Sequence, residues 1–106
     1  MAMTSGGRKR RGRVPLDMMM RHYCDVSDLH PDSIVSGPYR REPYVRVELP
    51  DLGTVDAKAC RWSADRVLLL WETPENVRYQ AWVPASWCQR ISREESAWKD
   101  HDDLLS

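Results

Sequence analysis

The chain has 106 residues; 30% are charged, and 16 Lys and Arg balance 16 Asp and Glu. A chain this short builds at most one domain, with a small core and little room for a deep catalytic cleft. Its longest apolar run, residues 67–71, is far below the roughly 20 residues a membrane-spanning helix needs.

The balanced charge is unevenly placed. Arg8, Lys9, Arg10, Arg11 and Arg13 crowd one end, while Glu94, Glu95, Asp100, Asp102 and Asp103 crowd the other, so the two ends carry the electrostatic character. Arginine outnumbers lysine thirteen to three and phenylalanine is absent, a bias that suits a GC-rich genome such as that of an actinobacterium or one of its phages. The three cysteines, Cys24, Cys60 and Cys88, cannot all pair within one chain, and no apolar leader precedes them. A reducing, cytoplasmic setting is the expectation.

Residues 1–13, "MAMTSGGRKRRGR", hold too little apolar material and too much like charge to fold alone, and are expected to form a disordered basic arm. Residues 14–43 contain four prolines, which restrict helix and favour an extended strap. A short helix is expected within it at about residues 16–24, with Leu16, Met19, Met20 and Tyr23 on one face.

From Tyr44 the apolar period becomes two. In "YVRVELP", Val45, Val47 and Leu49 oppose Arg46 and Glu48; in "TVDAKACRW", Val55, Ala57 and Ala59 oppose Asp56, Lys58 and Cys60. "RVLLLWE" is apolar enough to be buried on both faces. In "VRYQAWV", Val77, Tyr79, Ala81 and Val83 oppose Arg78, Gln80 and Trp82, and "CQRI" makes a last short strand. "DLG", "SAD" and "TPEN" supply the turns. Five short strands in residues 44–92 predict a mainly β fold, an antiparallel meander closing into a barrel to protect its edges. Ser92 and Glu95 have capping-box spacing, so an acidic short helix is expected over residues 93–106, with Trp98, His101 and Leu105 along one side.

The stretch "AWVPASWC", residues 81–88, resembles the closing motif of the SH3 family, in which an aromatic, an aliphatic and a proline precede a one-turn helix and a further aromatic. The resemblance spans roughly residues 44–92 and implies a five-stranded SH3-like barrel with Pro84 and Trp87 on a groove wall. The family's Ala-Leu-Tyr-Asp-Tyr stretch, its long acidic loop and its paired tryptophans have no counterpart here. The likeness is therefore to the looser group of SH3-like, Tudor-like and KOW-like barrels, whose fold does not fix a ligand.

On the alternation above, Trp62 and Trp82 stand outside the barrel, either under the strap and the terminal helix or on a contact surface. The leading expectation is a non-enzymatic binding module, a bacterial or phage accessory protein that holds a protein partner through Trp82, Pro84, Trp87 and Trp62. One alternative is a nucleic-acid-binding factor. In that reading Arg8, Lys9, Arg10, Arg11 and Arg13 neutralise phosphates, and Arg40, Arg41, Arg46, Arg61 and Arg78 extend the track. The other is a structural subunit of a larger assembly. His22, Cys24 and His30 lack the paired spacing of a zinc site, and no nucleophile is flanked by an orienting group, so no metal, cofactor or catalytic residue is expected.

Overall fold

The computed structural model describes residues 18–105. Among them are seven strands: β1 (Met18–His22), β2 (Val35–Ser36), β3 (Tyr44–Leu49), β4 (Gly53–Trp62), β5 (Arg66–Glu72), β6 (Arg78–Pro84) and β7 (Cys88–Ile91). They form one sheet in the order β1-β6-β5-β4-β3-β7, with β2 off that path against β4. The basic arm, residues 1–13, and Leu16 lie outside the described residues.

The period-two pattern explains the core. Val45, Val47 and Leu49 of β3 meet Ala57 and Ala59 of β4, Val67, Leu69 and Trp71 of β5, and Ala81 and Val83 of β6 in one buried cluster. Ala57 and Ala81 are fully buried, and their small side chains leave room for Leu69 and Trp71. Two tight turns use left-handed backbone, Gly53 at φ +76° between β3 and β4 and Asn76 at φ 65° between β5 and β6. Gly and Asn reach this region at the least steric cost.

The expected strands in residues 44–92 are present, but neither expected helix forms among the described residues. Met18–His22 is an edge strand, β1, that runs parallel to β6 with Met20 beside Gln80 and His22 beside Trp82. The sheet is therefore mixed, not a purely antiparallel meander. A helix of two or three turns cannot stabilise itself in water, whereas a strand here satisfies the backbone of β6, which would otherwise be an edge. Residues 93–105 are turns and extended chain. The Ser92 and Glu95 contacts do form, with Ser92 N–H donating to Glu95 Oε1 at 2.8 Å and Glu95 N–H to Ser92 Oγ at 3.2 Å, yet they close a single turn. Trp98 packs against the core cluster while His101 and Leu105 are exposed, so the three share no side. Three acidic residues at a helix C-terminus would oppose its dipole, and two of them find cations on the sheet instead.

Candidate functional site

On the outward face of β6, Gln80 and Trp82 alternate with the buried Ala81 and Val83, as the period predicts. Trp82 lies across from Leu68 of β5, and Leu68 across from Arg61 of β4. Leu68 is buried although it belongs to the outward face and not to the core cluster. A groove of about 650 Å³ runs over this face, lined by Met20, Tyr39, Cys60, Arg61, Leu68 and Trp82 together with Gln80 of β6 and the strap residues Ser36, Gly37 and Glu42. Of its large hydrophobic lining side chains two are well exposed, Tyr39 at 76% and Met20 at 49%.

The strap wall of this groove is fixed by a close approach. Gly37 N–H donates to the Cys60 carbonyl at 2.8 Å. A Cβ at Gly37 would lie 3.1 Å from the Ala59 carbonyl oxygen and 3.3 Å from the Trp62 ring. A side chain there would be tight, and these neighbours would have to give by a few tenths of an ångström.

Cys60 is also where the β4–β5 register shifts: Ala59 pairs with Leu69, but Arg61 pairs with Leu68 and Trp62 with Val67. This β-bulge inserts one residue and reverses the facing of everything beyond it. Trp62 therefore turns inward and packs against the core cluster, which corrects the expectation that it stands outside the sheet. Strict alternation carries no signal for a bulge.

The four expected contact residues do not share one surface. Trp82 lines the groove and Trp62 packs on the core. Pro84 precedes the 3-10 turn Ala85–Trp87. Trp87, at that turn, lies 6.1 Å ring to ring from Tyr23. Tyr23 is held by its own polar set: its hydroxyl donates to Asp51 at 2.7 Å, and Arg21 reaches both Asp51 at 2.5 Å and the Tyr23 hydroxyl at 3.3 Å. Of the arginines expected to form a track, Arg46 is engaged by Asp56 at 2.8 and 3.1 Å, and Arg78 sits 3.7 Å from Glu72. The sequence reading missed Tyr39 as a surface group and placed Met20 and Tyr23 on one helical face; Met20 is instead exposed on the edge strand and Tyr23 packs partly buried against the core cluster, because edge-strand and strap exposure follow from tertiary packing.

A second feature, also unforeseen, fixes the strap and the C-terminal segment. Tyr44 and Lys58 face each other across β3 and β4 on the outward side, and residues 96–103 lie over them. Lys58 Nζ donates to Asp103 at 2.6 Å and Asp100 at 3.0 Å, with Glu42 at 2.8 Å; its side chain is 3% exposed. The Tyr44 hydroxyl donates to Asp103 at 2.5 Å and accepts the Asp100 N–H at 2.9 Å. Arg93 adds a third contact to Asp103 at 2.8 Å. Burial pulls the Lys58 ammonium toward deprotonation, but Asp103, Glu42 and Asp100 outweigh it and hold its pKa above the ordinary lysine value. Burial likewise pushes Asp100 and Asp103 up, and the Asp102 N–H, Lys58, Tyr44 and Arg93 bring both below the usual carboxylate range.

The thiols are quiet. Burial pushes Cys60 and Cys88 up to about 11 and raises Cys24 as well, so none is a thiolate nucleophile at neutral pH. His30 Nδ1 accepts the Asp32 N–H at 3.2 Å. Among the described residues no three His, Cys, Asp or Glu side chains are grouped to hold a metal ion, and no helix is long and apolar enough to cross a membrane. No family model, no curated protein and no solved structure matches this chain.

Proposed function

We propose that the chain is a non-enzymatic binding module, a bacterial or phage accessory protein of the cytoplasm, that takes an extended apolar segment of a protein partner in the groove beside Trp82. The observation that carries this reading is the groove itself, where Trp82, Met20 and Tyr39 line one open channel on the outward face. An aromatic with one face packed and one face open is the usual anchor of a protein contact. β1 ends the sheet among the described residues, so an extended peptide has a backbone edge to pair with and a neighbouring pocket for its alternate side chains. The SH3-like reading of the fold is supported by the adjacency β7-β3-β4-β5-β6 and by the 3-10 turn Ala85–Trp87 after Pro84. In this proposal those five strands curl into a barrel, and the groove lies on its outer surface.

The test uses peptides selected against the full-length chain from a random library, with affinity read by anisotropy of the labelled peptide. Trp82→Ala is expected to weaken binding by about 2 kcal/mol, roughly thirtyfold, with the near-UV circular dichroism otherwise native. A folded Trp82→Ala protein that binds the same peptides as tightly sinks the proposal.

A further inference from the structure

Resting on the peptide groove proposed above, we infer that the channel beside Trp82 selects a partner segment that is acidic as well as apolar, with Arg61 receiving its carboxylate. Among the described residues only two charged side chains line the groove, Glu42 and Arg61, and they differ in what already holds them. Glu42 lies against Lys58 at 2.8 Å, and Asp100 and Asp103 share the same ammonium at 3.0 and 2.6 Å. Even with Arg93 on Asp103, carboxylates outnumber cations in that set, so the Glu42 end of the groove stays negative. Arg61 is exposed, and its side chain makes no hydrogen bond or ion pair among the described residues. Nearby arginines are engaged, Arg66 by Asp28 at 2.9 Å and Arg46 by Asp56 at 2.8 Å. A guanidinium fork without a partner takes both oxygens of a carboxylate at once.

The bulge at Cys60 aims Arg61 into the groove. Strict alternation from Ala57 and Ala59 would point it inward; beyond the bulge it pairs instead with Ser36 of β2 and Leu68 of β5, and Leu68 with Trp82 of β6. Cross-strand partners share a face, so Arg61, Leu68 and Trp82 stand in one outward row. Neighbouring strands are about 4.8 Å apart, which sets the Arg61 and Trp82 backbones about 10 Å apart across β5. One short peptide spans that distance with an apolar side chain over Leu68 and Trp82 and a carboxylate at Arg61. Glu42 belongs to the other end of the strap wall, where the neighbouring Pro43 carbonyl accepts the Ala59 N–H at 2.8 Å. The wall is therefore negative at Glu42 and positive at Arg61, and such a charge pattern fixes which way round a bound segment lies.

The probes are two random peptide libraries presented to the full-length chain, alike in their apolar residues but carrying Glu in one and Lys in the other at every polar position. Acidic side chains outnumber basic ones among the described residues, so long-range attraction to the folded part favours the Lys library and makes the test stringent. The chain is expected to enrich binders from the Glu library. Arg61→Glu should weaken those binders about tenfold at low salt and enrich from the Lys library instead. The difference should shrink at about 1 M salt, where the Debye length is about 3 Å. Arg61→Gln, which serves also if the charge reversal does not fold, should lose the preference for Glu without gaining one for Lys. Binders that need Trp82 but come equally from both libraries, or that Arg61→Glu leaves unchanged, overturn the inference and leave the groove standing. Binders indifferent to Trp82→Ala, or none from either library, overturn both. A preference for the Lys library also sinks it, because Glu42 then governs the groove. So does a Glu preference that vanishes when Arg8, Lys9, Arg10, Arg11 and Arg13 are replaced by Gln, because those residues then read the acid.

Discussion

Lys58 shows how one residue can hold two chain segments that have no regular structure. Its alternation with Ala57 and Ala59 marks it as outward-facing, and on a bare sheet it would be solvated. Here it is 2% exposed and meets three carboxylates. Removing one partner of a buried ionic group leaves the others desolvated and mutually repelling, which typically costs about 3–5 kcal/mol. Lys58→Ala is therefore expected to lower stability by about that amount in urea unfolding; a loss within 1 kcal/mol would mean that the carboxylates relax to solvent without cost. Burial acts on a thiol in a simpler way. With Cys60 pushed up to about 11, its thiolate fraction at pH 7 is roughly a hundredfold below that of an ordinary cysteine. Reaction with a thiol reagent should be correspondingly slow for Cys60 in the native chain and recover in urea, and equal rates in both states would contradict its burial.

At the scale of elements, residues 44–92 were legible because each strand is long enough for its alternation to be counted, and its turns carry Gly53 and Asn76 where left-handed backbone is needed. The bulge at Cys60 was not legible, since an inserted residue looks like any other until its partner strand is known. Its consequence is measurable. Trp62→Ala, which removes an aromatic packed on the core, is expected to cost about 3 kcal/mol of stability and to leave peptide affinity at the Trp82 groove unchanged. The opposite pattern would return Trp62 to the surface. The two expected helices failed for a related reason. Met19, Met20 and Tyr23 fit a helical face and an edge strand equally well over so short a stretch, and the free edge of β6 decided between them. The C-terminal segment kept its capping contacts at Ser92 and Glu95 but gave up further turns because Lys58 and Arg93 offered Asp100 and Asp103 closer partners than a helix could.

Across the whole molecule the outward face is divided between the open groove at Trp82 and the ionic clamp at Lys58, and the strap joins them through Glu42, which borders both. The clamp and the neighbouring Arg46–Asp56 pair set a pH window. Asp56, Asp100 and Asp103 are held below their ordinary values. Their contribution is therefore complete above the unfolded carboxylate pKa, about 3.9, and is lost as pH falls through the folded values. Lys58 is held above its ordinary value, so its contribution is complete below about 10.4 and is lost only at higher pH. Stability and the near-UV signal of Trp98, whose ring lies 6.1 Å from that of Tyr44, should be flat from about pH 5 to 9 and drop below about pH 4. A loss centred near pH 6 would point to a histidine and against the clamp. The sequence by itself determined the strands of residues 44–92, their inward faces and the outward position of Trp82, because a period of two is a local property of the chain. Only the tertiary structure decided the inward turn of Trp62, the strand at Met18–His22, the separation of Trp82 from Trp87 and the burial of Lys58, because each depends on which distant segment arrives to pair, cover or neutralise.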